Sequence, residues 1–332
     1  MLSFLVRRIL IMVPTLIVTS FIIFTIIQAP PGDYLETYIA ELESRGEAVD
    51  QARIDALRAD YGLDKPFVEQ YAVWAWKLLQ GDMGYSFEYQ LPVNEVVGDR
   101  LWLTFIISLA TILFTWIVAF PIGVYTAVRQ YSVGDYVATT IGFFGLAVPN
   151  FLLALIMMHF LNVWFDVEIG GLMDREYVDQ PWSWGKIGSV LTHMVVPVIV
   201  IGPSGTASMI RRLRANLLDE LSKQYVVTGK AKGLPPLRLL IKYPLRISLN
   251  PFIADIGSYL PSLVSSAAVV SIVMNLPTTG PMLIEALKSQ DMYLAGSFLM
   301  FLSLLTIVGV FISDLALAAL DPRIRLEGGA TK

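Results

Sequence analysis

Six long apolar stretches dominate the pattern of hydrophobic and polar positions: Ile9 to Ile27, Leu101 to Val128, Val137 to Phe165, Leu191 to Ile210, Phe252 to Leu276 and Ala295 to Leu320. They run continuously instead of alternating with a period of two, so they predict helices and not strands. About 20 helical residues cross the ~30 Å hydrocarbon core of a bilayer, where backbone must satisfy its own hydrogen bonds. The expected architecture is an all-α membrane protein with six transmembrane helices. Val137 to Phe165 is longer than one crossing needs and is expected to tilt. Phe252 to Leu276 is the least apolar and carries Asp255. Arg7 and Arg8 give the start of the chain the look of a signal peptide. The 19 apolar residues that follow exceed a typical h-region, and no small-residue cleavage site comes after them, so this is read as a retained helix.

Composition agrees. The 332 residues are 55% hydrophobic and 16% charged, against ~25% charged in ordinary soluble domains, and mean hydropathy is +0.62. There is no cysteine, which excludes disulfides and thiolate chemistry. The charges are sorted by position. The segments 1–8, 129–135, 211–250 and 321–332 hold 15 Lys or Arg in 67 positions, and the segments 28–100, 166–190 and 277–294 hold nine in 116. This bias predicts that both termini lie in the cytoplasm. Acids fall the other way, 21 outside and five inside. The expected organisation is an N-terminus and first helix (1–27), an extracytoplasmic subdomain (28–100), a five-helix core (101–320) containing a cytoplasmic loop (211–250), and a cytoplasmic tail (321–332). The external segment is too long for a simple connector. It carries an expected amphipathic helix around Val49 to Asp60 and the aromatic stretch "YAVWAWKLLQGDMGYSF".

Candidate chemistry is sparse. No G-x-x-x-x-G-K-[ST] loop is present, so ATP hydrolysis is not expected from this chain. His159 and His193 sit in or at the edge of apolar helices and form no H-E-x-x-H pattern, which favours a structural role over a metal site. Asp255 and Asp314 fall in or near spans, where an acid is costly; the expected partners are Arg246 for Asp255 and Arg323 or Arg325 for Asp314. In "GLAVPNF", Pro149 and Asn150 interrupt a span, as a packed kink or as a lining of a translocation route; Ser265 and Ser266 are further candidates for that lining.

The segment from Lys223 to Pro251 is unlike the rest. It contains Lys223, Lys230, Lys232, Arg238, Lys242 and Arg246 but no acid. The stretch from Met209 is helix-permissive through Lys232. Gly233 suits a helix C-terminus, and Pro235 and Pro236 stop any continuation. A second helix then leads back to the membrane. A loop serving charge alone would not need this punctuation, so a docking element is favoured over a lipid-binding loop.

Here the chain resembles a known family. "YVVTGKAKGL" is similar to the EAA loop of ATP-binding-cassette importer permeases, in the form found in peptide and nickel systems. Tyr225, Val226, Thr228, Lys230, Ala231, Lys232, Gly233 and Leu234 match, while Gly229 stands where alanine is usual and Val227 where arginine is. "PPGD", "YGLDKPFVEQY", "GDMGYSF", "PVNEVVGDRLWLTFIISLAT" and "DLALAALDPRIR" follow in family order, so the resemblance covers nearly the whole chain. It implies the type I importer permease fold, with Tyr225 to Leu234 coupling to an ATPase. It also implies a second, homologous permease subunit, two ATPase subunits that hold ATP and Mg, an extracytoplasmic binding protein and a site in the bacterial cytoplasmic membrane. No cofactor in this chain and no nucleic acid are implied. Di- or oligopeptides are the leading substrate, with nickel chelates, glutathione, opines and oligosaccharides open. The rival class, an ion-coupled secondary transporter, would be expected to show inverted repeats and buried charges at mid-depth, and the sequence shows neither.

Overall fold

The structure is a computed structural model that describes residues 2–29, 59, 65–165, 170–177, 180–181 and 183–320; at 2–4, 99, 175, 258, 260–266 and 320 it describes the backbone alone. The expected helix around Val49 to Asp60 and the tail 321–332 lie outside the described residues.

Helix α1 (Leu2–Gln28) covers the first apolar stretch. α2 (Phe67–Leu79) has Glu69 in its first turn and Lys77 in its last, each opposing the helix dipole favourably. Strands β1 (Tyr85–Ser86) and β2 (Leu91–Pro92) pair antiparallel, with Tyr85 opposite Pro92. α3 (Val93–Val128) follows without a break. α4 (Val133–Ala147) starts at Ser132, whose Oγ accepts the Asp135 N–H at 3.2 Å. α5 (Asn150–Phe165) and the long α6 (Trp184–Leu221) complete the first half. Then come α7 (Gln224–Ala231), α8 (Pro236–Lys242), α9 (Pro244–Ser248), α10 (Asn250–Val273), α11 (Thr279–Lys288) and α12 (Met292–Leu320).

Leu5–Gln28, α3, α6 and Met292–Ala319 are each long and apolar enough to cross a membrane, and α4 with α5 qualifies as a bent pair. α10 covers the least apolar stretch. α3 and α6 begin well before their apolar runs do, because a helix does not stop where lipid does. The third stretch is not one tilted span. α4 and α5 meet at 96°, because Pro149 disfavours helical backbone at the residue before it and Val148 is extended, with ψ 122°.

Three apolar clusters stack along the bundle. Phe24, Trp74, Phe87, Val93, Met282 and Phe298 join α1, α2, the hairpin, α3, α11 and α12 at what we term the hairpin end. Ile107, Val190, Met194, Val200, Val270 and Met274 form the middle. Ala119, Met209, Ile210, Leu213 and Phe252 form the basic end, next to α7 to α9. α6 borders the second and third clusters, and Leu213 and Leu217 on it are fully buried. α10 and α12 cross backbone to backbone. A Cβ on Gly257 would lie 2.1 Å from the Gly309 carbonyl carbon, and the Gly257 N–H donates to Ser313 Oγ at 2.9 Å.

Both intramembrane acids are paired; Asp255 has a partner other than the one expected, and the partners expected for Asp314, Arg323 and Arg325, lie outside the described residues. Arg212 on α6 reaches Asp255 at 2.6 Å; Arg246 is exposed on α9, beyond the bend at Leu249. Arg8 on α1 holds Asp314 at 3.0 Å, a contact across the whole length of the chain that no local pattern announces.

Candidate functional site: the basic loop and the cavity

The loop expected to run as one helix to Lys232 is broken. α6 ends at Leu221 and Lys223 is extended before α7 begins. Ser222 donates its hydroxyl to the Asp219 carbonyl at 2.8 Å and so occupies an acceptor of the last turn. The return helix is also split. Pro244 has no N–H, and Tyr243 departs from helical geometry (φ −121°, ψ −79°), so α8 ends there and α9 begins.

The turn after α7 is built as the sequence predicts. Gly233 has φ +74°, in the left-handed region that a Cβ disfavours by roughly 1–2 kcal/mol. The Leu234 N–H donates to the Gly229 carbonyl at 3.2 Å and the Gly233 N–H to the Lys230 carbonyl at 2.9 Å. These two bonds are the Schellman closure of a helix. Val226 on α7 and Leu239 on α8 are both buried, and Gly229 faces Leu239. A Cβ there would stand 2.5 Å from Leu239 Cδ1, which gives a physical reason for glycine where alanine is usual. The Tyr225 hydroxyl donates to Glu220; burial, then this bond, push the phenol above its ordinary value. Thr228 Oγ1 bonds back to the Gln224 carbonyl at 3.0 Å.

The outward face of the loop mixes charge with grease. Lys230, Ala231, Lys232 and Gly233 are exposed, and Val227, Leu237 and Ile241 are each more than half exposed. Apolar side chains among lysines form a surface for a protein partner more readily than for water alone.

Behind this face α6 is anchored twice. Arg214 forms a bidentate pair with Asp135, Nε to Oδ1 at 3.1 Å and Nη2 to Oδ2 at 2.9 Å, and the Tyr131 N–H also donates to Asp135. Arg212 holds Asp255 on α10. Sequence reasoning missed the first tie, although "SVGD" at Ser132 to Asp135 is a readable capping signature. Of the candidate pathway residues, Pro149 is exposed at the elbow and Asn150 donates to Ser204 Oγ on α6 at 3.4 Å. Ser265 and Ser266 lie on α10, and their side chains are outside the described residues.

At the hairpin end an open cavity of about 950 Å³ lies between α3, α5, α6 and α11. Its polar lining includes Tyr89, Arg100, His159, Asp174, His193 and Glu285. Arg100 stacks over the Tyr89 ring at 4.4 Å, and the Tyr89 hydroxyl bonds to Glu285. Burial, then that bond, push the Tyr89 phenol up, so it stays a donor. Among the described residues no group of three or more His, Asp or Glu could hold a metal ion.

The bundle thus carries a punctuated loop at one end and an open cavity at the other. Residues 119–326 match the family described as binding-protein-dependent transport system inner membrane component, and residues 1–110 match its N-terminal companion. The chain belongs to this family. It is 30% identical over 328 residues to the oligopeptide transport system permease protein AppB of Bacillus subtilis (98% of this chain, 99% of that one). It is 29% identical over 342 residues to the dipeptide transport system permease protein DppB of Escherichia coli K12 (98% and 99%). Among solved structures, an inward-facing MetNI methionine ABC transporter chain matches with TM-score 0.50 at 16% identity, over 68% of this chain and 96% of that one. The fold is that of a type I ABC importer permease, and the protein is a multi-pass inner-membrane component.

Proposed function

We propose that this chain is one permease subunit of an ATP-driven importer of di- or oligopeptides. The observation that carries the reading is the loop from Tyr225 to Leu234, closed at Gly233 and presenting lysines and bare apolar side chains outward. The names of the relatives AppB and DppB support the peptide substrate. In this reading the basic end and both termini face the cytoplasm, and the hairpin end faces outward with the segment 28–100. The chain itself catalyses nothing. Two partner ATPase subunits hold ATP and Mg, a second homologous permease supplies the other half of the route, and an extracytoplasmic binding protein delivers the peptide.

The mechanism follows from the ties on α6. Closure of the ATPases displaces α7 to α9. α6 spans 38 residues, roughly 57 Å at 1.5 Å per residue, from the loop to the cavity wall. Its ion pairs to Asp135 and Asp255 carry its motion to α4 and α10. The elbow at Pro149 and Asn150, with Ser265 and Ser266, lines the route between the two permeases.

Two substitutions test the loop. A Cβ at Gly233 would meet nothing within 4 Å in this chain, so Gly233→Val strains the turn by roughly 1–2 kcal/mol and puts bulk on the docking face. The expected result is normal insertion with loss of ATPase copurification or of uptake. Lys230→Glu is expected to be milder, since an exposed charge pair is worth about 0–1 kcal/mol. A lipid-binding loop predicts the reverse order, and a silent Gly233→Val refutes the docking role.

A further inference from the structure

The cavity contains a second constellation, away from the coupling loop. His193 on α6 is 6% exposed, and its Nδ1 stands 2.9 Å from the Ser189 carbonyl. A carbonyl only accepts, so Nδ1 carries a proton, and in the singly protonated ring Nε2 is an acceptor at the cavity wall. Facing it at 3.8 Å is Asp174 Oδ1. Asp174 is itself held: Ser189 Oγ donates to its Oδ2 at 2.6 Å and accepts its N–H at 2.8 Å. Two acceptors therefore stand side by side on the wall, one on the buried His193 ring and one on the Asp174 carboxylate, whose side chain is 56% exposed. One nitrogen carrying several N–H groups, set to one side of the line joining them, reaches both at ordinary bond lengths of about 2.8–2.9 Å.

We propose that Asp174 and His193 form a binding site for a primary ammonium group, the amino terminus of an entering peptide. The owner of that ammonium rests on the peptide-import reading above; the site does not. The other charged or titratable groups lining the cavity are His159 from α5, Arg100 from α3, Glu285 from α11 and Tyr89 from the hairpin turn. Arg100, Tyr89 and Glu285 already engage one another, which leaves the wall of Asp174 and His193 to the ligand.

The test uses the full chain in nanodiscs with ¹⁵N-labelled histidine, the two resonance sets being assigned with His159→Gln. Glycinamide, a primary ammonium without a carboxylate, is the probe. A saturable shift of His193 Nε2 is expected. It should weaken at least tenfold in Asp174→Asn and be absent with tetramethylammonium, which has no N–H. No saturable shift, or an equal response to tetramethylammonium, overturns the site. In the assembled transporter, Asp174→Asn and His193→Phe should each lower peptide uptake at least tenfold while ATP hydrolysis stimulated by the binding protein persists. Equal uptake by wild type and Asp174→Asn overturns the site and leaves the peptide reading standing. A wild type that takes up no peptide while glycinamide still shifts His193 ends the peptide reading and leaves the site standing.

Discussion

Asp291 is fully buried where α12 begins, ringed by donors: Ser86 Oγ at 2.7 Å, the Glu88 N–H at 3.2 Å and the Leu294 N–H at 3.1 Å. It caps a helix and fastens the hairpin in one stroke. Burial pushes its carboxyl above the usual range, and the donors offset only part of that. A group whose folded pKa is raised contributes stability that is complete below the unfolded value, about 3.9 for Asp, and is lost as pH rises through the folded one. The melting midpoint of Asp291→Asn, measured against wild type, should therefore move in the variant's favour as pH rises above about 4; a pH-independent difference refutes this. Asp291→Ala should lower the midpoint at every pH, since each buried donor left unmet costs about 1–3 kcal/mol. An acid just before an apolar run is legible as a helix cap. Its bond to a serine 205 positions earlier is not, because nothing local encodes it. Gly233 was legible for the opposite reason: its conformation is set by its own backbone and the prolines two and three residues on.

The element that organises the basic end is α6, through its pair with the first turn of α4. Asp135 is buried, its side chain 4% exposed, while that of Arg214 is 28% exposed. The two truncations should differ. Arg214→Ala strands a carboxylate away from water, and removing one partner of a buried pair costs about 3–5 kcal/mol. Asp135→Ala leaves an arginine that can turn toward solvent and should cost less. Melting midpoints of the purified protein check the order, and the double variant should lose less than the two singles combined. Helix positions came readily from the apolar runs, because 20-residue stretches leave few alternatives. The breaks at Ser222 and Tyr243 did not; at Pro149 a kink was readable but not its 96°. A proline or serine in a helical pattern signals strain but not its outcome.

For the whole molecule, the charge bias makes a single statement about orientation, and the absence of cysteine makes it easy to test. Glu88→Cys on the exposed hairpin turn should react with an impermeant thiol reagent added outside, and Lys230→Cys should react only after the membrane is opened; the reverse pattern inverts the topology. Tertiary pairing was the least legible scale. The middle of the bundle could be foreseen as apolar, but the partners of Asp255 and Asp314 lay on helices far away in sequence. The pair between Arg8 and Asp314 has a consequence for biosynthesis. The two residues are 306 positions apart, and α1 packs chiefly on α12. At about 5–20 residues per second, a ribosome needs about 15–60 s to go from one to the other. Throughout that interval the first helix stands in the bilayer without the helix it packs on. A chain released early would carry that uncovered face as a mark of incompleteness for any membrane protease to read.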